Sequence, residues 1–151
     1  MARWIAAEDM HISLRFAGDI DNRTADEFAE FLAQIEIEPF EVRVADLGVF
    51  GGREPRLIYA GVNGGDRLEA LQRATERAAR SAGLAPEPRN YKPHVTLARL
   101  RGTRSDVVAR FLGSRPRLDT EPFFVERFVL FSSRPRVGGG PYVVEADFPL
   151  G

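Results

Sequence analysis

His11-Ile12-Ser13-Leu14 and His94-Val95-Thr96-Leu97 are one tetrapeptide written twice: a histidine, an apolar residue, a hydroxyl residue, an apolar residue. They hold the only two histidines among the 151 residues. On a strand, successive side chains point to opposite faces. His11 with Ser13, and His94 with Thr96, therefore project one way, while Ile12, Leu14, Val95 and Leu97 project into a core. The chain is 44% apolar and has eleven serines and threonines, so a given histidine opens such a tetrapeptide by accident roughly once in seventy tries. One copy is ordinary strand alternation; two copies, with no other histidine present, point to chemistry.

Working outward, the first motif lies in a strand over Asp9 to Phe16, ended by a turn at Gly18-Asp19-Ile20-Asp21-Asn22. Thr24-Ala25-Asp26-Glu27 has the form of a capping box, and Phe28, Phe31, Leu32 and Ile35 follow at helical spacing. Phe40, Val42 and Val44 alternate as a strand, Gly48, Gly51 and Gly52 mark a bend, and Leu57 to Val62 forms the next strand. After the Asn63-Gly64-Gly65 turn, Asp66-Arg67-Leu68-Glu69 opens a second capped helix reaching about Ala82, with Leu68, Leu71, Ala74 and Ala78 inward and Gly83 as its C-terminal cap.

The stiff segment from Pro86 to Pro93 delivers an extended chain into the second motif. Beyond it, Ser105 caps a short helix carrying Val107, Val108, Phe111 and Leu112. Two long strands, Phe123 to Ser132 and Tyr142 to Phe148, close the chain through a hairpin containing Pro135 and Gly138-Gly139-Gly140. Strands joined in hairpins indicate an α+β fold with antiparallel sheets rather than a doubly wound parallel sheet. The recurrence of motif, turn and capped helix indicates two related halves, so residues 1–151 read as a single two-lobed domain.

Composition narrows the function. There is no cysteine, which excludes disulfides and thiolate metal sites, and two histidines are a thin basis for zinc. No apolar run approaches the ~20 residues that cross a bilayer, and Glu8 and Asp9 come too early for a signal peptide. A soluble, cytoplasmic protein with no membrane partner is expected. The formal charge of −1 argues against binding nucleic acid by bulk electrostatics, so any RNA contact must be local. Twenty arginines accompany one lysine, Lys92; position, not number, has to decide what they do.

Two imidazoles converging on one phosphorus suit an in-line displacement. One neutral ring takes a proton from the nucleophile while one charged ring gives a proton to the leaving oxygen, and histidine, whose ordinary pKa is about 6.5, does either at neutral pH. The Ser13 and Thr96 hydroxyls, on the same faces, donate to the non-bridging oxygens as charge builds. Neither a metal nor a cofactor is needed.

These motifs, with Arg3-Trp4 ahead of the first, Leu14-Arg15-Phe16-Ala17-Gly18 after it, and Lys92-Pro93-His94-Val95-Thr96-Leu97-Ala98-Arg99 around the second, resemble the 2H phosphoesterase superfamily. The nearest branch is that of the RNA 2′,3′-cyclic phosphodiesterases, once named 2′-5′ RNA ligases. The resemblance covers essentially the whole chain. It implies two pseudo-symmetric lobes with helices outside, a histidine strand from each lobe lining an active-site cleft, and metal-independent hydrolysis of RNA 2′,3′-cyclic phosphate ends to 2′-phosphates.

Transferred residue by residue, the resemblance makes His11 and His94 the acid and base, has Ser13 and Thr96 hold the phosphate, and sets Phe16 and Arg99 on the nucleotide. The residues themselves leave open which ring is the base; the resemblance gives that part to His94. Phe16 and Arg99 each stand five residues after a histidine, where a straight strand turns them off the histidine face, so their role needs a bulge or a strand end. Taken alone, Phe16 reads as core. Lys92 is a candidate to steer phosphate, and Arg15 is a second phosphate candidate if its strand stays regular.

Members of the branch carry a strand and helix ahead of the Arg-Trp segment, where this sequence starts. A truncated first lobe with an open sheet edge is therefore expected, covered by homodimerisation, strand exchange or a different closure. Two alternatives stay open: hydrolysis of small cyclic nucleotides or ADP-ribose cyclic phosphate, and a catalytically weakened module that binds nucleotides or RNA ends.

Overall fold

The computed structural model describes residues 1–115, 117–133 and 141–151, and its contacts divide them into two units, each woven from three stretches of chain. The first takes Met1–Ser13, Arg43–Asn63 and Pro93–Pro122. Its sheet is antiparallel in the order β1 (Ala2–Trp4), β4 (His94–Leu100), β3 (Leu57–Asn63), β2 (Phe40–Phe50, from Arg43 onward). Helix α3 (Ser105–Gly113) covers one face: Val108, Phe111 and Leu112 pack with Ile58, Ala98, Leu97 and Leu100. Ala98 is completely buried there, and Trp4 reaches the same layer, 5.8 Å from the Phe111 ring.

The second unit takes Leu14–Val42, Gly64–Lys92 and Phe123–Gly151. Helices α1 (Asn22–Leu32) and α2 (Gly65–Ser81) pack together in it and bury Phe28, Leu32, Leu68, Leu71, Ala78 and Ala79. Here Phe40–Val42 of β2 pairs with β5 (Phe123–Val125), and β6 (Arg127–Ser132) pairs with β7 (Val143–Pro149). Every strand pairing is antiparallel, so the architecture is α+β as expected. Among the described residues, no helix is long and apolar enough to cross a membrane.

Several local expectations change. The strand read over Asp9 to Phe16 is a 3₁₀ turn at Ala7–Asp9 followed by extended chain with one bridge, Ile12 to Val95. The cap of α1 is Asp21 rather than Thr24: its carboxylate accepts the Thr24 N–H at 2.8 Å, and that bond holds the acid below its ordinary 3.8. Likewise α3 starts behind Arg104, not Ser105. The bend expected at Gly48 is absent, because β2 continues to Phe50 and the chain reverses at Gly51 and Gly52, both at positive φ.

Gly48 has another purpose. A Cβ there would lie 2.4 Å from the Tyr59 ring, which crosses the strand at that point. Phe123 to Ser132 is not one strand but two, divided at Glu126, whose carbonyl accepts the Leu150 N–H at 2.8 Å. The expected hairpin through Pro135 and Gly138 to Gly140 lies outside the described residues.

Candidate active site

Both histidine motifs belong to the first unit, and they sit side by side. Ile12 bridges Val95 in antiparallel sense. Carried one residue either way, that register sets His11 opposite Thr96 and Ser13 opposite His94. Directly opposed residues share a face with Cβ atoms about 4.5–5.5 Å apart. The four polar side chains thus form two adjacent cross-strand pairs on the face away from Ile12 and Val95.

The register extends the site across the sheet. Thr96 faces Tyr59, which faces Gly48, and His94 faces Gly61, which faces Ala45. The two rows run His11, Thr96, Tyr59, Gly48 and Ser13, His94, Gly61, Ala45. Phe50 and Tyr59 stack with centroids 4.3 Å apart, and the His94 ring meets both edge-on, at 5.1 Å and 5.7 Å. Edge-to-face contacts of this kind restrict an imidazole to one orientation. His11 is fixed differently. Its Nδ1 lies 2.8 Å from the Asp9 carbonyl, an acceptor, so Nδ1 carries the hydrogen and Nε2 is the ring's proton-accepting nitrogen.

A bulge in β4 decides where Arg99 points. Tyr59 pairs with Thr96 but Ile58 pairs with Ala98, leaving Leu97 as the extra residue. Ala98 therefore turns under α3, and Arg99, opposite Leu57, returns to the face of His94 and Thr96. The pairing of Arg3 with Arg99 brings Arg3 onto that face as well. Arg3, Phe50 and Tyr59 were missed as site residues by the sequence reading. Alternation alone could have flagged Tyr59, but Arg3 depends on the bulge, which no motif announces.

The remaining candidates lie in the second unit. Phe16 is 75% exposed, which overturns its reading as a core residue. Lys92 is exposed too. Arg15 is corrected: the chain is not a regular strand beyond Ile12, and the Arg15 side chain is buried, ion-paired with Glu76 at 3.2 Å and bonded to the Ala85 carbonyl. Its charge is committed inside the protein. Tyr91, on the segment leading to His94, is half-buried, and burial pushes its phenol up to about 12. Among the described residues, no group of three histidine, aspartate or glutamate side chains is arranged to hold a metal ion.

Strands and helices in this arrangement recur in solved structures. The crystal structure of E. coli LigT complexed with 3′-AMP matches with a TM-score of 0.80 at 22% identity, covering 99% of this chain and 81% of that one. At that identity the likeness is one of fold. The sequence goes further, since the model of the 2′-5′ RNA ligase superfamily matches residues 3–135. The chain belongs to that superfamily.

Curated relatives named RNA 2′,3′-cyclic phosphodiesterase include one from Aeropyrum pernix, 40% identical over 65% of this chain and 57% of its own length. Another, from Aquifex aeolicus, is 29% identical over 100% of this chain and 83% of its own. A third, from Geobacillus stearothermophilus, is 33% identical over 97% and 47% respectively. The chain therefore spans about half the length of two of these relatives and most of the third.

Proposed function

We propose that this protein hydrolyses the 2′,3′-cyclic phosphate at an RNA end to a 2′-phosphate, without a metal ion, using His11 and His94 as acid and base. Water attacks phosphorus, the bond from phosphorus to the 3′ oxygen breaks, and that oxygen leaves with a proton. His94 takes the proton of the attacking water. His11, aimed by its bond to the Asp9 carbonyl, gives a proton from Nε2 to the 3′ oxygen. Ser13 and Thr96 donate hydroxyl hydrogens to the non-bridging oxygens. Phe16 stacks on the terminal base and Lys92 draws in the phosphate.

The observation carrying this reading is the Ile12–Val95 bridge, whose register makes neighbours of two imidazoles and two hydroxyls. The relatives' names point to the same substrate. The test is incubation with an oligoribonucleotide ending in a 2′,3′-cyclic phosphate, in EDTA, with the product followed by phosphorus NMR. Conversion to the 2′-phosphate is expected. Absence of turnover, a 3′-phosphate product, or turnover only on adding metal contradicts the reading.

A further inference from the structure

Two guanidinium-bearing residues face each other across neighbouring strands on the histidine side of the first unit. Arg3 of β1 is opposite Arg99 of β4, both are exposed, and among the described residues neither makes an ion pair or a side-chain hydrogen bond. Like charges directly opposed in a sheet are destabilising. Elsewhere the protein's arginines find acids: Arg15 with Glu76, Arg43 with Asp119, Arg117 with Asp46, Arg127 with Asp147. At Arg3 and Arg99 nothing of the protein supplies the negative charge, so the pair fits a ligand that brings its own.

Spacing says which part of a ligand. On β3, Tyr59 lies in the Thr96 row and Leu57 in the Arg99 row, two residues or about 7 Å apart at the rise of a strand. That is the length of one nucleotide step along a phosphodiester chain. The same edge of β4 carries both ends of the arrangement: β1 pairs with its C-terminal half, the Ile5 N–H bonds the Leu97 carbonyl, and Ile12 bridges Val95. Arg3 and His11 thus lie along one line.

We infer that Arg3 and Arg99 form a subsite for the first phosphodiester upstream of the terminal cyclic phosphate, and that the substrate class is an RNA strand rather than a mononucleotide. The inference rests on the catalytic reading above. Two guanidiniums with planar donor forks suit the two non-bridging oxygens of such a phosphate. With a formal charge of −1 over the whole chain, a local subsite is also the way this protein can hold RNA.

The test compares kcat/KM on an oligoribonucleotide with a cyclic phosphate end, on the same strand carrying an uncharged methylphosphonate at the first upstream linkage, and on a mononucleoside 2′,3′-cyclic phosphate. The parent should prefer the charged strand over either other substrate by about tenfold, the worth of a charge-assisted contact. Arg3→Ala and Arg99→Ala should each erase most of that preference. Arg23→Ala, an exposed charge on α1, should keep it.

Binding of a strand ending in a 2′-phosphate, followed by anisotropy against salt, needs no turnover. Removing both arginines should lower the slope of log K on log salt by about 0.7, one phosphate's share on a single strand. A parent that binds in this way but hydrolyses nothing defeats the catalytic reading and supports the subsite. A parent indifferent to the methylphosphonate, or a salt slope unmoved in the double variant, overturns the subsite whatever the catalytic result.

Discussion

Arg15 and Glu76 form an ion pair at 3.2 Å with side chains only 5% and 12% exposed. It ties the chain just past the first histidine motif to helix α2, and Glu87, on the segment before the second motif, stands 4.0 Å from the same guanidinium. Breaking a buried pair by removing one partner strands the other's charge, which costs about 3–5 kcal/mol. Glu76→Ala should therefore lower unfolding free energy in urea by that amount. Replacing both residues with apolar ones, Arg15→Met with Glu76→Leu, should recover much of it. Equal losses in the single and double variants would contradict the account.

Phe16 is 75% exposed, so Phe16→Ala should change stability by no more than about 0.5 kcal/mol. If its ring stacks on the terminal base, a contact worth about 1–3 kcal/mol, KM for a cyclic-phosphate-ended strand should rise about tenfold. Steady-state kinetics beside a urea titration separates the two effects. An unchanged KM removes Phe16 from the site.

Gly48 leaves room for the Tyr59 ring, to which a Cβ would approach within 2.4 Å. The ring is held by stacking on Phe50, so it has no easy retreat. Gly48→Ala should destabilise by about 1–3 kcal/mol, as overpacking does, and should shift the ring-proton resonances of His94, which leans on Phe50 and Tyr59. Resonances that stay in place would mean that the aromatic pair does not set the imidazole.

Tyr91 supplies a pH test. Burial raises its phenol from 10.0 to about 12, so between those values the folded protein keeps a proton that the unfolded chain releases. Stability from this source is complete below pH 10 and falls as pH climbs towards 12. Unfolding in urea on either side of pH 10 should show a steeper decline in the parent than in Tyr91→Phe. Parallel declines would contradict the assignment.

Much of this was legible in the residues, unevenly. The two helices around Phe28 and Leu71 followed from apolar spacing, and the strands at Phe40 and Leu57 from alternation. Their caps were misread at Thr24 and Ser105 because several polar residues crowd each helix start, and only backbone geometry selects among them. The histidine motifs could be recognised as a pair, since repetition is visible in a sequence, but that they pair with each other inside one unit depends on a strand register no local pattern encodes. Arg99 was legible only with a condition attached, a bulge, and Leu97 is that bulge. Arg15 looked like a partner for phosphate because nothing in its neighbourhood announced Glu76, sixty-one residues away.

The central claim is that His11 and His94 act together on one phosphorus atom. A double-mutant cycle on 2′-phosphate release measures this most directly, with all variants checked for folding by circular dichroism. His11→Ala and His94→Ala should each lower kcat by about 10²-fold or more, and the double variant should be hardly slower than the worse single one, as for groups that work as a unit. Full activity in either single variant, or losses that multiply in the double, would contradict it.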